Sequence, residues 1–83
     1  MKREQKTALL LLGHGSKVEE ANRVLYEIAT GVMRRRELSI VEVAFLQLAE
    51  PLFEEGIERC VAQGAGRILL IPYFLYLGAH VGS

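Results

Sequence analysis

Leu9-Leu10-Leu11-Leu12-Gly13-His14-Gly15-Ser16 is the stretch whose reading decides the fold. An apolar run ends in a histidine set between two glycines, and a charged, helix-compatible segment opens directly after it. That order reads as strand, tight turn, helix. Glycine on either side lets the backbone turn sharply and come close to a ligand, and Ser16 is placed to cap the helix that follows. His14 is thereby displayed at the carboxyl end of a strand instead of being buried. An imidazole in such a position can bind a metal ion or accept a proton.

Working outward, residues 1–5 form a charged leader and residues 6–12 a continuous apolar strand of the kind covered on both faces, which points to a parallel sheet. From 17 to 36 the apolar residues Val18, Ala21, Leu25, Ile28, Ala29, Val32 and Met33 recur at steps of three and four, the period of an amphipathic helix. Lys17, Glu19 and Glu20 fall on its solvated face, and Arg34-Arg35-Arg36 complement the dipole at its end. Residues 39–46, rich in β-branched side chains, read as a second strand. Glu50-Pro51 opens a second helix with proline in the first turn, where its missing N–H costs nothing, and Gly64 stops it. Leu52, Phe53, Ile57, Cys60 and Val61 line one face of that helix. Residues 67–74 form a third apolar strand, and 75–83 a loop with Gly78, His80 and Gly82.

The order is βαβαβ, which commits the sheet to parallel strands with right-handed crossovers. With the flavodoxin-like order 2-1-3, the first and third strands are neighbours and ligands bind outside their carboxyl ends. The only two histidines, His14 and His80, follow those two strands. The topology therefore brings both to one edge, which raises a metal or catalytic role for the pair above the bland reading of two surface histidines. Gly13-His14-Gly15-Ser16 lacks the lysine of a phosphate-binding loop and the full dinucleotide glycine pattern, so a nucleotide site is disfavoured.

Composition narrows the field further. Ten basic residues balance ten acidic ones over 83 residues, which argues against nucleic acid as a partner. The apolar runs are too short for a secretory core or a membrane span. One cysteine excludes an internal disulfide and suits the cytoplasm, and its helical position makes Cys60 a small packed hydrophobe, not a nucleophile. Glu50 is a weak candidate for proton transfer, since its carboxylate is also placed to cap the second helix.

Three motifs carry a family resemblance. Leu12-Gly13-His14-Gly15-Ser16, then Ala44-Phe45-Leu46-Gln47-Leu48-Ala49-Glu50-Pro51, then Ile71-Pro72-Tyr73-Phe74-Leu75 with Gly78-Ala79-His80-Val81 resemble, in order and over nearly the whole chain, the small sirohydrochlorin chelatases of the CbiX type. The resemblance implies a three-layer chelatase-like domain and a class II tetrapyrrole chelatase. Such an enzyme inserts a divalent metal into sirohydrochlorin, cobalt foremost and iron or nickel in other branches, with no organic cofactor. The family's paired histidines carry over to His14 and His80 as metal-binding and catalytic residues. Gly13, Gly15, Ser16, Gln47, Tyr73, Phe74, Leu75 and Gly78 fall where the tetrapyrrole would be held.

Two departures stand out. Gln47 occupies a position where the family usually has glutamate, which removes a carboxylate from the expected site. The family's single-domain proteins continue past the His-Val motif with a helix, a strand and a final helix, so residues 1–83 read as one shortened domain. A third strand without a further neighbour exposes unpaired backbone groups, which predicts a homodimer through that edge. The alternative function is a self-associating fragment, engineered or natural, that binds metal or tetrapyrrole without turnover.

Overall fold

The computed structural model describes residues 6–35 and 38–73. Three strands and two helices alternate: β1 (Lys6–Gly13), α1 (Glu19–Arg34), β2 (Ile40–Phe45), α2 (Phe53–Ala62) and β3 (Ala65–Pro72). The strands form one parallel sheet in the order β2-β1-β3. β1 is the central strand, and its residues Ala8 through Gly13 are all buried. A strand closed on both faces has no room for the alternation of a half-exposed one, which is why the leucine run is unbroken.

The faces of β1 feed two apolar clusters. Ala8, Leu10 and Leu12 pack with Ile40, Ala44 and Cys60, closed by Phe53 and Ile57 of α2. Leu9 and Leu11 pack with Val43, Phe45 and Leu25, closed by Ile28, Ala29 and Val32 of α1. The sheet thus lies between one helix on each side, giving three layers. Burial of Leu25, the one fully enclosed side chain of α1, contributes about 1.5–3 kcal/mol to holding that helix down. α2 approaches closely because Gly56 sits over Ala44 and Leu10, where an added methyl would lie 2.7 Å from the Ala44 Cβ.

Element ends depart from expectation in instructive ways. Ser16 does not cap α1: the helix begins at Glu19 behind Val18, which carries no side-chain cap. The Ser16 hydroxyl instead accepts a hydrogen bond from the Val18 amide at 3.0 Å, a local turn that competes with helix formation. Nor does proline open α2, because the first helical residue is Phe53 and the Glu50–Pro51 bond is cis. The Pro51 carbonyl accepts the Phe45 amide at 2.8 Å, folding the connection back on the end of β2. Glu50 is exposed, and α2 has no side-chain cap, so the capping role expected of that carboxylate is absent. Gly64, with φ at +102°, takes the left-handed conformation that ends a helix, as expected.

β3 is the least covered element. Its Leu69 and Ile71 stand beside Leu9 and Leu11 in the ladder, on the face that α1 covers over β1 and β2. They nevertheless remain 51% and 39% exposed. Among the described residues β3 pairs only with β1, leaving its far edge open.

Candidate functional site

The three strands end together, and their continuations are tied to one another. Past the end of β1 the Gly13 carbonyl accepts the Leu46 amide at 3.0 Å, and the His14 carbonyl accepts the Gln47 amide at 3.3 Å. On the other side the Leu12 carbonyl accepts the Tyr73 amide at 2.9 Å. The backbone of His14 is therefore clamped to the loop after β2, and that of its neighbour Leu12 to the residue after β3. The side chain of His14 remains exposed.

Gly15 makes this junction possible. Its φ of +99° is strained for any residue with a side chain, and a methyl there would collide with the Gln47 carbonyl oxygen. The two loops touch backbone to backbone. Leu48, at φ +65°, continues the unusual path of the partner loop and is exposed together with Leu46 and Leu52.

Beside His14 lies a small cavity of about 90 Å³, walled by Gly13, Gly15, Ser16, Asn22, Phe45 and Tyr73 among others. Five of the residues anticipated for the site, Gly13, His14, Gly15, Ser16 and Tyr73, thus share one cavity. Gln47 enters through its backbone, with its residue exposed at the rim. Phe74, Leu75, Gly78 and His80 lie outside the described residues. Among the described residues no three His, Cys, Asp or Glu side chains converge on a point that could hold a metal ion.

Two contributors escape a reading of the sequence. Phe45, fully buried and tilted at 50° against Tyr26 with ring centroids 6.2 Å apart, forms the floor of the cavity. Asn22 donates from Nδ2 to the Ser16 carbonyl at 2.8 Å and accepts the Ser16 amide on Oδ1 at 3.0 Å. An asparagine in the first turn of a helix is a poor helix former, and that was the one signal available for it. A larger, open groove of about 750 Å³ adjoins the cavity, with Glu19, Glu20 and Arg23 on one side and Ala49 and Glu50 on the other.

Cys60 is remote from this edge. It is wholly buried on the sheet-facing side of α2, and burial together with the neighbouring Glu42 carboxylate raises its pKa above the ordinary thiol value. Glu42 is itself engaged by the Gln63 amide at 2.7 Å and by Arg59 at 4.0 Å. A thiol held in its neutral form is a packing group, which agrees with the expectation for it.

A parallel three-layer α/β unit in the strand order β2-β1-β3, with an exposed imidazole past the end of its first strand, has a chelatase-like architecture. The chain belongs to the CbiX family, whose profile matches residues 8–83. It is 38% identical over 75 residues to a sirohydrochlorin cobaltochelatase of Priestia megaterium, covering 90% of this chain and 24% of that protein. It is 39% identical over 75 residues to a sirohydrochlorin ferrochelatase of Bacillus subtilis, covering 90% of this chain and 29% of that protein. Among solved structures it is similar to SirB from Bacillus subtilis with Fe3+, at a TM-score of 0.72 and 38% identity, over 82% of this chain and 27% of that one. The chain spans between about a quarter and about half of the length of the curated relatives it matches. Among the described residues no helix is long and apolar enough to cross a membrane.

Proposed function

We propose that the chain acts in inserting a divalent metal ion, cobalt first and iron as the second choice, into sirohydrochlorin. The observation that carries this reading is His14, exposed at the joint carboxyl edge of β1, β2 and β3 and sharing a cavity with Tyr73. Relatives named for cobalt and for iron insertion support the substrate class, and imidazole suits both ions. In this proposal His14 and His80 hold the incoming ion, which is a substrate and not a resident cofactor. Two imidazole ligands leave coordination positions open for pyrrole nitrogens, whereas four protein ligands would obstruct release. Imidazole, or water beside it, takes the protons that leave the pyrroles.

The cavity at His14 has the scale of an ion with some of its water, a liquid water occupying about 30 Å³, and is too small for a macrocycle. The larger groove carries the carboxylates of Glu19, Glu20 and Glu50 against the single cation of Arg23, a net negative lining that disfavours a macrocycle bearing carboxylates. The tetrapyrrole is therefore assigned to the open side of His14, next to Tyr73. Two copies joined along the edge of β3 that is open among the described residues would enclose that side, and the free Cys60 thiol suits the cytoplasm.

The test is insertion of Co2+ into sirohydrochlorin followed by absorbance, with Fe2+ in parallel and the variants His14→Ala and His80→Ala. Loss of turnover in either variant, with the circular dichroism of the parent, is the expected result. Turnover by His14→Ala at the parent's rate would sink the assignment.

A further inference from the structure

We infer that Asn22 is a positioning residue, which fixes the turn that aims His14; this inference rests on the proposed role of His14. α1 begins without any side-chain cap on its first turn, so nothing at the usual position ties the helix to the segment before it. Asn22 supplies the tie from inside the helix. Helical side chains lean toward the amino terminus, and this one reaches back six residues to Ser16. Its amide copies a peptide group, accepting the Ser16 N–H on Oδ1 and donating from Nδ2 to the Ser16 carbonyl. The two bonds together fix both the position and the tilt of the Ser16 backbone, which a single bond would leave free to pivot.

The residue type follows from that geometry. Aspartate matches the length but cannot donate, and it would set an acceptor against the Ser16 carbonyl. Serine and alanine cannot reach both atoms. Ser16 is two residues from His14, and Gly15 between them is already held in a strained conformation against Gln47. The His14 turn is thus gripped from two directions, by the β2 loop through Gln47 and by α1 through Asn22. Asn22 also lines the cavity that His14 adjoins, so loss of its grip opens the wall on that side.

A purely structural role for Asn22 in α1 makes the opposite prediction from a positioning role. Alanine is the better helix former, so Asn22→Ala strengthens the helix while cutting both ties to the turn. Asn22→Asp keeps the acceptor and adds a charge that the helix amino terminus favours, so it serves as the variant whose folding is safest. The experiment measures amide hydrogen exchange at Ser16 together with the broadening of the His14 ring signals by Co2+ alone, in the parent and both Asn22 variants. Positioning predicts Ser16 exchange about tenfold faster in Asn22→Ala, the loss expected for two hydrogen bonds, with the helical circular dichroism of the parent. It also predicts that about tenfold more Co2+ is needed to broaden the His14 signals in Asn22→Ala. In Asn22→Asp, which keeps the acceptor, the Ser16 amide keeps its protection. Unchanged Ser16 exchange in Asn22→Ala, or faster exchange with the Co2+ response of the parent, overturns the inference. If Co2+ leaves the His14 signals of the parent unbroadened, the proposed role of His14 fails. In that case Ser16 exchange by itself still decides whether Asn22 holds the turn.

Discussion

Replacing Gly15 with alanine tests the central claim that the loops after β1 and β2 meet backbone to backbone. A methyl group at Gly15 would meet the Gln47 carbonyl oxygen, with the carbonyl carbon at 2.8 Å and the Gln47 nitrogen at 3.3 Å. A side chain at the end of a flexible arm could swing aside, but this is main chain, held by the bond from the Gln47 amide to the His14 carbonyl. The left-handed backbone, φ +99°, costs alanine about 1 kcal/mol by itself. Forcing an atom into closely packed surroundings adds about 1–3 kcal/mol. The total is about 3 kcal/mol. Stability of about 0.1 kcal/mol per residue puts a chain of 83 residues near about 8 kcal/mol, so the substitution removes over a third of it. Urea unfolding followed by circular dichroism gives the assay. With a slope of about 1.2 kcal/mol per molar, the midpoint should fall by about 2.5 M. The strain has one escape, separation of the two loops, which would expose the Gln47 amide to rapid hydrogen exchange in place of the stability loss. A variant with the parent's midpoint and the parent's protection at Gln47 would refute the reasoning.

Other perturbations probe other contacts. Gly56→Ala should destabilise the chain by about 1–3 kcal/mol in the same unfolding assay, because the new methyl lies 2.7 Å from the Ala44 Cβ and 3.1 Å from Leu10. Cys60 has a folded pKa raised above its ordinary 9.0 by burial and by Glu42, so the folded state keeps a proton that the unfolded state releases. Its contribution is complete below the unfolded pKa and declines as pH rises through the folded value. Stability should therefore fall above about pH 9, and Cys60→Ser should show a flatter alkaline limb. Leu69→Lys, which places a charge on the exposed face of β3, should convert a dimer to a monomer at micromolar concentration by light scattering. A parent that is already monomeric would refute the proposed pairing.

The sheet was legible because each strand is an apolar run that ends in a turn signal. Residues 6–12 could only be an interior strand, and the order 2-1-3 follows once two helical segments separate three such runs. His14 was legible for the same reason, since histidine between two glycines at a strand end has no packing role to fill. β3 shows the limit of that logic. Leu69, Leu70 and Ile71 form as apolar a run as β1, yet all three are exposed, because an apolar run reports what a strand is suited to pack against and not whether a helix reaches it. Asn22 was illegible for a different reason. A polar side chain in the first turn of an amphipathic helix looks like part of the solvated face, and its reach to Ser16 depends on the direction of the turn. The start of α1 shifted from 17 to Glu19 because Ser16 and Asn22 spend their hydrogen bonds on that turn and not on a cap.

The central place of β1 also dictates when the molecule can assemble. Ala8 pairs with Ile40 on one side and with Ile68 on the other, so β1 waits on the ribosome for β3 before its second ladder can form. None of these pairings can begin as a hairpin, and each must close a long loop before any strand contact repays the lost chain entropy. Until then the leucine run has only β2 and the two helices to shelter it. A nascent chain of this kind is exposed to aggregation until β3 is made, and its yield in a cell should depend on how quickly residues 65–72 emerge.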